Sequence, residues 1–313
     1  MSGSLQIIQV GSFYELRDQA NELLQTSTDA GILANAALAL YPNGGCSLVF
    51  GPGTFNCSQI TINQSNTSIV GSGWSTIIQP IGNNSVFFLS SPSGNGIFFI
   101  RLGNFECRDS GLMSGTSAFF YFNAVVGLSY IVVNAEFSDI IFSGTLNRAF
   151  YDGGGTGNYL TGQVQSIKFL NISSDDSSPF ANTFFSIMNL RTAIFSQGLI
   201  SLALPNNSSV FALGVGTNST ISCSTTFEDL QIYVNGTGYS GTAVVLNNVN
   251  AVHFNDVQIL FTAPPNTTST GLSISGSLGE MVFQRLKVYS ANVGGLFTSS
   301  SDIGFTCRTA QCS

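Results

Sequence analysis

From about residue 46 onward, apolar residues fall in short alternating runs broken by Gly, Asn and Ser, and helical spacing is absent. One eight-residue phrase recurs. It reads "LGNFECRD" from Leu102, "FSDIIFSG" from Phe137, "VQSIKFLN" from Val164, "FSQGLISL" from Phe195, "FEDLQIYV" from Phe227, "FNDVQILF" from Phe254 and "FQRLKVYS" from Phe283. Each has an apolar residue, two mostly polar or small ones, a small or apolar one, a spacer, and an apolar one. Successive phrases start 27 to 35 residues apart. One strand phrase per period of this length is the signature of a solenoid, with the surplus residues placed in turns. Several short β-runs per period, without helical pattern, predict the coils of a parallel β-helix. Stacked coils turn each inward position into a column, so Phe137, Phe195, Phe227, Phe254 and Phe283 are expected to line the lumen.

The first forty-odd residues read differently. Ser12 and Glu15 match a capping box, and Phe13, Leu16, Ala20, Leu23 and Leu24 follow at helical spacing. Asp29 can cap a second helix, "AGILANAALALY", which Pro42 and two glycines stop. These readings divide the chain into an N-terminal helical cap, residues 1–45, and a β-helix of about eight coils, residues 46–313. Between them, "GGCSLVFGPGTFNC" predicts a strand at Leu48–Phe50, a turn at Gly51–Gly53 and a further strand at Ile60–Ile62.

Composition sharpens this picture. Only 8% of the 313 residues are charged, whereas 43% are hydrophobic and 26 are Phe. Neutral Gly, Ser, Thr and Asn replace the usual charges, which suits stacked strands and turns. A net charge of -7 without any Lys/Arg cluster disfavours nucleic acid and anionic membrane surfaces. No run reaches the roughly 18 to 20 apolar residues of a membrane span. "MSGSLQIIQVGSF" lacks the basic start and apolar core of a signal peptide, so an extracellular destination would call for another route, such as virion assembly and lysis.

Six cysteines occur without CxxC or Cys/His spacing, which predicts no metal site. Cys46 and Cys57 flank the Gly-Pro-Gly turn, and Cys307 and Cys312 lie near the C-terminus; each pair is a disulfide candidate beside the alternative of buried thiols. Cys107 and Cys223 are about four coils apart, roughly 19 Å along the stack, too far to bond.

The segment Thr28–Pro80 resembles the opening of the pectate-lyase-like, single-stranded right-handed parallel β-helix superfamily. The matching residues are Asp29, Gly44 and Gly45, Leu48–Phe50, Pro52–Phe55, Ile69–Gly73 and Thr76–Ile78. Phage tailspikes, glycan depolymerases and secreted polysaccharide lyases share this opening. The resemblance implies an all-β, right-handed parallel β-helix, and by analogy with tailspikes a homotrimer.

Candidate chemistry is sparse. Glycosidases need paired carboxylates, and Asp175–Asp176 and Glu228–Asp229 are the adjacent acids. Asp139, Asp229 and Asp256 share a phrase position and can stack as an exterior column, with Arg285 near it in the next coil. The weak catalytic candidates are therefore Asp175, Asp176, Asp229 and Asp256. Arg285 and Lys287 imitate the Arg-x-Lys of polygalacturonase-type hydrolases, whose Gly-His-Gly and Asn-Thr-Asp motifs are missing. Scattered acids such as Asp109 and Asp152 do not make a calcium site. His253 precedes an inward Phe and should face outward. Trp74 reads as a structural aromatic or as a sugar platform. The glycine-rich Tyr151–Gly162 stretch lacks the lysine of a phosphate loop. Asn56, Asn63, Asn66, Asn83, Asn171, Asn206, Asn207, Asn218, Asn235 and Asn266 begin N-x-S/T sequons, which are glycosylation candidates.

These readings favour a virion surface, tailspike- or fibre-like protein, located on the virion surface or extracellular. Its expected partners are copies of itself, other virion proteins and a host surface glycan. The alternative is a polysaccharide-degrading hydrolase or lyase on the same fold. No cofactor is implied.

Overall fold

The structure is a computed structural model. It describes residues 3–91, 95–123, 130–152, 163–175, 179–188, 190–205, 208–214, 223–235, 238–247, 249–262, 269–276, 280–299 and 304–312. The chain folds as the expected right-handed parallel β-helix. Two sheets run the length of the stack, one of 15 strands and one of 9 strands. Within each, strands distant in sequence lie side by side: Asn95–Ser110, Tyr130–Thr145, Gln163–Ser174, Thr192–Ala203, Cys223–Asn235, Val249–Phe261 and Glu280–Tyr289 are successive parallel neighbours in the larger sheet. The smaller sheet supplies one strand per coil, which makes nine coils among the described residues, in line with the roughly eight expected.

The lumen is packed with stacked rings. On the larger sheet, Phe137, Phe169, Phe195, Phe227, Phe254 and Phe283 form one column, with successive centroids 4.6–5.3 Å apart. On the smaller sheet, Phe87, Phe120, Phe150, Phe185 and Phe211 form a second column at 4.7–5.0 Å. The two columns meet edge-on, as Phe150 does with Phe169 at 80°. Offset stacking along the axis and edge contacts across it are the favoured aromatic geometries, and the spacing is set by strand pairing.

One phrase was out of register. Phe137 pairs with Phe169, so the third unit begins at Phe169 and not at Val164. "FLNIS" carries the same frame as "FSDII"; Val164 occupies a different inward position.

The N-terminus departs from expectation in a second way. Ser12 does not open a helix. Gly3–Val10 and Phe13–Arg17 are strands of an antiparallel hairpin, with Val10 opposite Phe13. Gly11 at φ 62° takes the first position of the two-residue turn, a left-handed position that glycine adopts without strain. Phe13, Leu23 and Leu24 are exposed, so the helical face that grouped them does not form. Leu23–Ser27 adds a third strand, and Gly3–Val10 pairs in parallel with Cys46–Phe50, which carries the larger sheet across residue 45. The second helix is present at Ala30–Ala39. Asp29 caps it as expected, accepting from the Gly31 N–H at 2.8 Å and also from the Ser58 N–H at 2.9 Å. Gly31 admits no side chain, because a Cβ there would lie 2.4 Å from the Ser58 carbonyl oxygen. The helix buries Leu33, Ala34, Ala37 and Leu38 and covers the first coil.

Candidate functional site

Each long strand of the larger sheet is bent two residues after the inward residue of its column, Leu102 in the first and a Phe in the rest. The bend residues are Asn104, Asp139, Asn171, Gln197, Asp229, Asp256 and Arg285, all with φ between 49° and 60°. This left-handed conformation is tolerated by Asn and Asp better than by most residues. The acid column foreseen at Asp139, Asp229 and Asp256 is therefore a backbone feature. Its members also join neighbouring coils: Asn104 Nδ2 donates to the Gly71 carbonyl at 2.9 Å, Asn171 Nδ2 donates to Asp139 Oδ1 at 2.9 Å, and Arg285 forms an ion pair with Asp256.

Beyond the bend, outward side chains form an open groove across the coils. Its first part, about 620 Å³, is lined by Glu106, Arg108, Ile141, Ser143, Ser173, Asp175 and Leu199. Leu199 also opens the second part, about 420 Å³, which adds Ser201, Gln231, Tyr233, Asn235 and Thr262. The combined groove crosses six successive coils, roughly 24 Å along the axis. Its positions follow from the repeat: the inward residues after the bend alternate with outward ones, and the outward side chains form most of the groove, with buried Ser174 at its floor.

The two ends differ in electrostatics. Glu106 is bound by Arg108 at 2.7 Å and by the Ser143 hydroxyl, and Arg108 Nε also approaches Ser143 Oγ at 3.3 Å. Asp175 lies exposed in the same part, with no ion pair among the described residues. The far end is neutral: Tyr233 donates to Gln231 Oε1 at 3.3 Å, Asn235 Nδ2 donates to Ser201 Oγ at 2.8 Å, and the Thr262 hydroxyl donates to Asn235.

Of the three catalytic candidates among the described residues, only Asp175 lines the groove. Asp229 and Asp256 are bend residues, and Asp176 lies outside the described residues. Glu106, Arg108 and Tyr233 were not singled out from sequence; their outward places in the phrase were the available signal. Asp109 is buried at the end of its strand, where burial raises its carboxyl above the ordinary value while the N–H groups of Leu112, Met113 and Gly111 pull the other way. It holds a turn. Asp152 is fully buried. His253 faces outward as expected and lies 3.7 Å from Glu280. Trp74 is 64% exposed, which excludes a packed structural role. Lys287 is an outward neighbour of Gln258. Of the Tyr151–Gly162 stretch, residues 153–162 lie outside the described residues.

The cysteine pair at the turn is corrected. Cys46, Cys57 and Cys107 are buried free thiols, so no Cys46–Cys57 bond forms and Cys107 does not bond to Cys223. Both Cys46 and Cys57 point into the apolar interior from different strands, and burial pushes the Cys46 thiol up to about 11. Cys57 and Cys107 are raised well above the usual thiol value, chiefly by burial. Cys307 and Cys312 lie on one strand, Gly304–Cys312, where five residues of extended chain span roughly 16 Å. That separation exceeds the reach of a disulfide, about 7 Å between Cα atoms.

Among the sequons, Asn56, Asn63, Asn66, Asn83 and Asn171 are exposed and Asn235 is half-buried. Asn83, Asn171 and Asn235 are already engaged by hydrogen bonds. Asn206, Asn207, Asn218 and Asn266 lie outside the described residues. Among the described residues no cluster of His, Cys, Asp or Glu can hold a metal ion, and no helix is long and apolar enough to cross a membrane.

No protein-family profile and no curated protein matches the chain. Two solved structures are similar in fold. One is ORF18 of Geobacillus virus E2, at 11% identity and a TM-score of 0.47, covering 96% of this chain and 66% of that one. The other is the A-module of the mannuronan C-5 epimerase AlgE4 of Azotobacter vinelandii, at 11% identity and a TM-score of 0.39, covering 91% of this chain and 96% of that one.

Proposed function

We propose that this chain is a tailspike- or fibre-like structural protein of a virion surface, whose β-helix presents the groove beyond the bend to a host glycan. The observation that supports this reading is the groove itself: long, open, and lined at one end by Ser201, Gln231, Tyr233, Asn235 and Thr262. Amides, hydroxyls and one aromatic ring are the groups that hydrogen-bond and stack on sugars. A rigid stack holds them in place before the ligand arrives, which lowers the cost of binding. A cyclic oligomer, trimeric by analogy with tailspikes, belongs to this proposal.

The enzymatic alternative has one observation in its favour: Glu106 and Asp175 line the same part of the groove. Two-carboxylate chemistry needs an acid and a base or nucleophile acting together. Glu106 is instead committed to Arg108 and Ser143, which favours binding without cleavage.

Binding of neutral and acidic glycans to the intact protein separates the two. Tyr233→Ala is expected to weaken glycan binding about tenfold, with no release of reducing ends or unsaturated sugars by either protein. Turnover by the native protein that is lost in Glu106→Gln and Asp175→Asn would establish the enzyme instead.

A further inference from the structure

A second bend precedes the inward column residue by three positions in four successive coils, at Asn66, Phe99, Asn134 and Ser166, with φ of 55°, 59°, 56° and 56°. Strand register places Phe99 opposite Asn66 on one side and Asn134 on the other. Asn is at home in this conformation, but a bulky aromatic residue there is a strained outlier. Phe99 recovers little from packing. It is 61% exposed, and among the described residues no aromatic ring stacks on it. Strain kept at an exposed side chain points to contact with something outside the fold.

The surface beside it suggests the partner. Asn134 and Ser166, the next two rungs of this column, line a separate groove of about 390 Å³ with Glu136, Lys168 and Thr192. Glu136 is engaged by Arg101 at 3.5 Å. Lys168 has no carboxylate within 4 Å among the described residues. Arg101 and Lys168 against Glu136 leave this face locally positive in a chain of net charge -7. Among the described residues of this face Phe99 is the one large apolar side chain that is strongly exposed, and a lone ring among amide, hydroxyl and ammonium groups is the set that stacks on and hydrogen-bonds a sugar.

We infer that Phe99 is the stacking platform of a second saccharide site, where Asn134 and Ser166 bond sugar hydroxyls and Lys168 pairs with an acidic substituent. The site lies before the bend and does not rest on the proposal for the Tyr233 groove. Its strain gives it an unusual signature. Replacing Phe99 by the residue its column prefers should improve the fold and damage the site.

The test titrates the intact protein with sialyllactose, a hyaluronan tetrasaccharide and maltotetraose, beside Phe99→Asn, Phe99→Trp and Lys168→Gln. At least one acidic oligosaccharide should bind the native protein. Phe99→Asn should weaken it about tenfold while raising Tm by roughly 2 °C. Phe99→Trp should retain binding, and Lys168→Gln should lose the preference for the acidic sugar. Unaltered binding in Phe99→Asn would overturn the inference. So would a native protein that takes none of the three, or a lower Tm for Phe99→Asn. Dissociation of an oligomer by Phe99→Asn would assign the ring to a contact between copies and equally overturn it.

Discussion

The ring column and the bend column run side by side through the same coils, two residues apart, and obey different rules. The ring column at Phe137, Phe169, Phe195, Phe227, Phe254 and Phe283 selects one shape. Each ring must fill the lumen and meet the ring above, so chemistry is held constant. The bend column at Asn104, Asp139, Asn171, Gln197, Asp229, Asp256 and Arg285 selects one backbone conformation. It accepts acids, amides and a base, because the side chains stand outside and only φ is constrained. A repeated acid in a solenoid can thus record what the backbone requires and carry no information about catalysis.

That contrast can be broken at its strong end first. Phe137 meets Phe120, Phe122, Phe150 and Phe169 at 5.2–5.8 Å, so Phe137→Ala leaves a cavity shared by two columns. The expected loss is about 3–5 kcal/mol, read by denaturant unfolding. In the bend column, Asp229→Val should cost about 1–2 kcal/mol, because a β-branched side chain resists positive φ, whereas Asp229→Asn should change stability by less than about 0.5 kcal/mol. Equal losses for both variants would show that the carboxylate matters beyond its backbone. The smallest effect is expected for the Arg285–Asp256 pair. Its side chains are 55% and 36% exposed, and a double-mutant cycle should return a coupling below about 1 kcal/mol that fades in salt.

Much of the fold was legible because a coil stack writes its core into the chain at a steady period. The Phe column was readable from spacing, and Asp29, Gly44 and Gly45 marked the opening. Val164 was mistaken for the start of a phrase because "VQSIKF" satisfies the same apolar frame as "FLNIS"; strand register alone tells them apart. Ser12 misled because a capping box is four residues of local pattern, and the hairpin signal was a single glycine at Gly11. The groove was less legible. Glu106, Arg108, Ser143 and Asp175 come from three coils, and no local stretch reveals that their outward side chains converge. Phe99 was invisible for a simpler reason: its strain is in φ, which a sequence does not display.

The stack also acts as a ruler. Its outer rows repeat at the strand spacing, about 4.8 Å, so a ligand shifted by one coil meets a similar backbone and much the same row of groups. A perfectly regular surface of this kind would hold a polymer without fixing its position, as a rack holds a pinion. The irregular rungs break that degeneracy. Asp175 and Phe99 each stand once in their rows, and on the proposed reading such rungs would fix where along the axis a chain of sugars comes to rest.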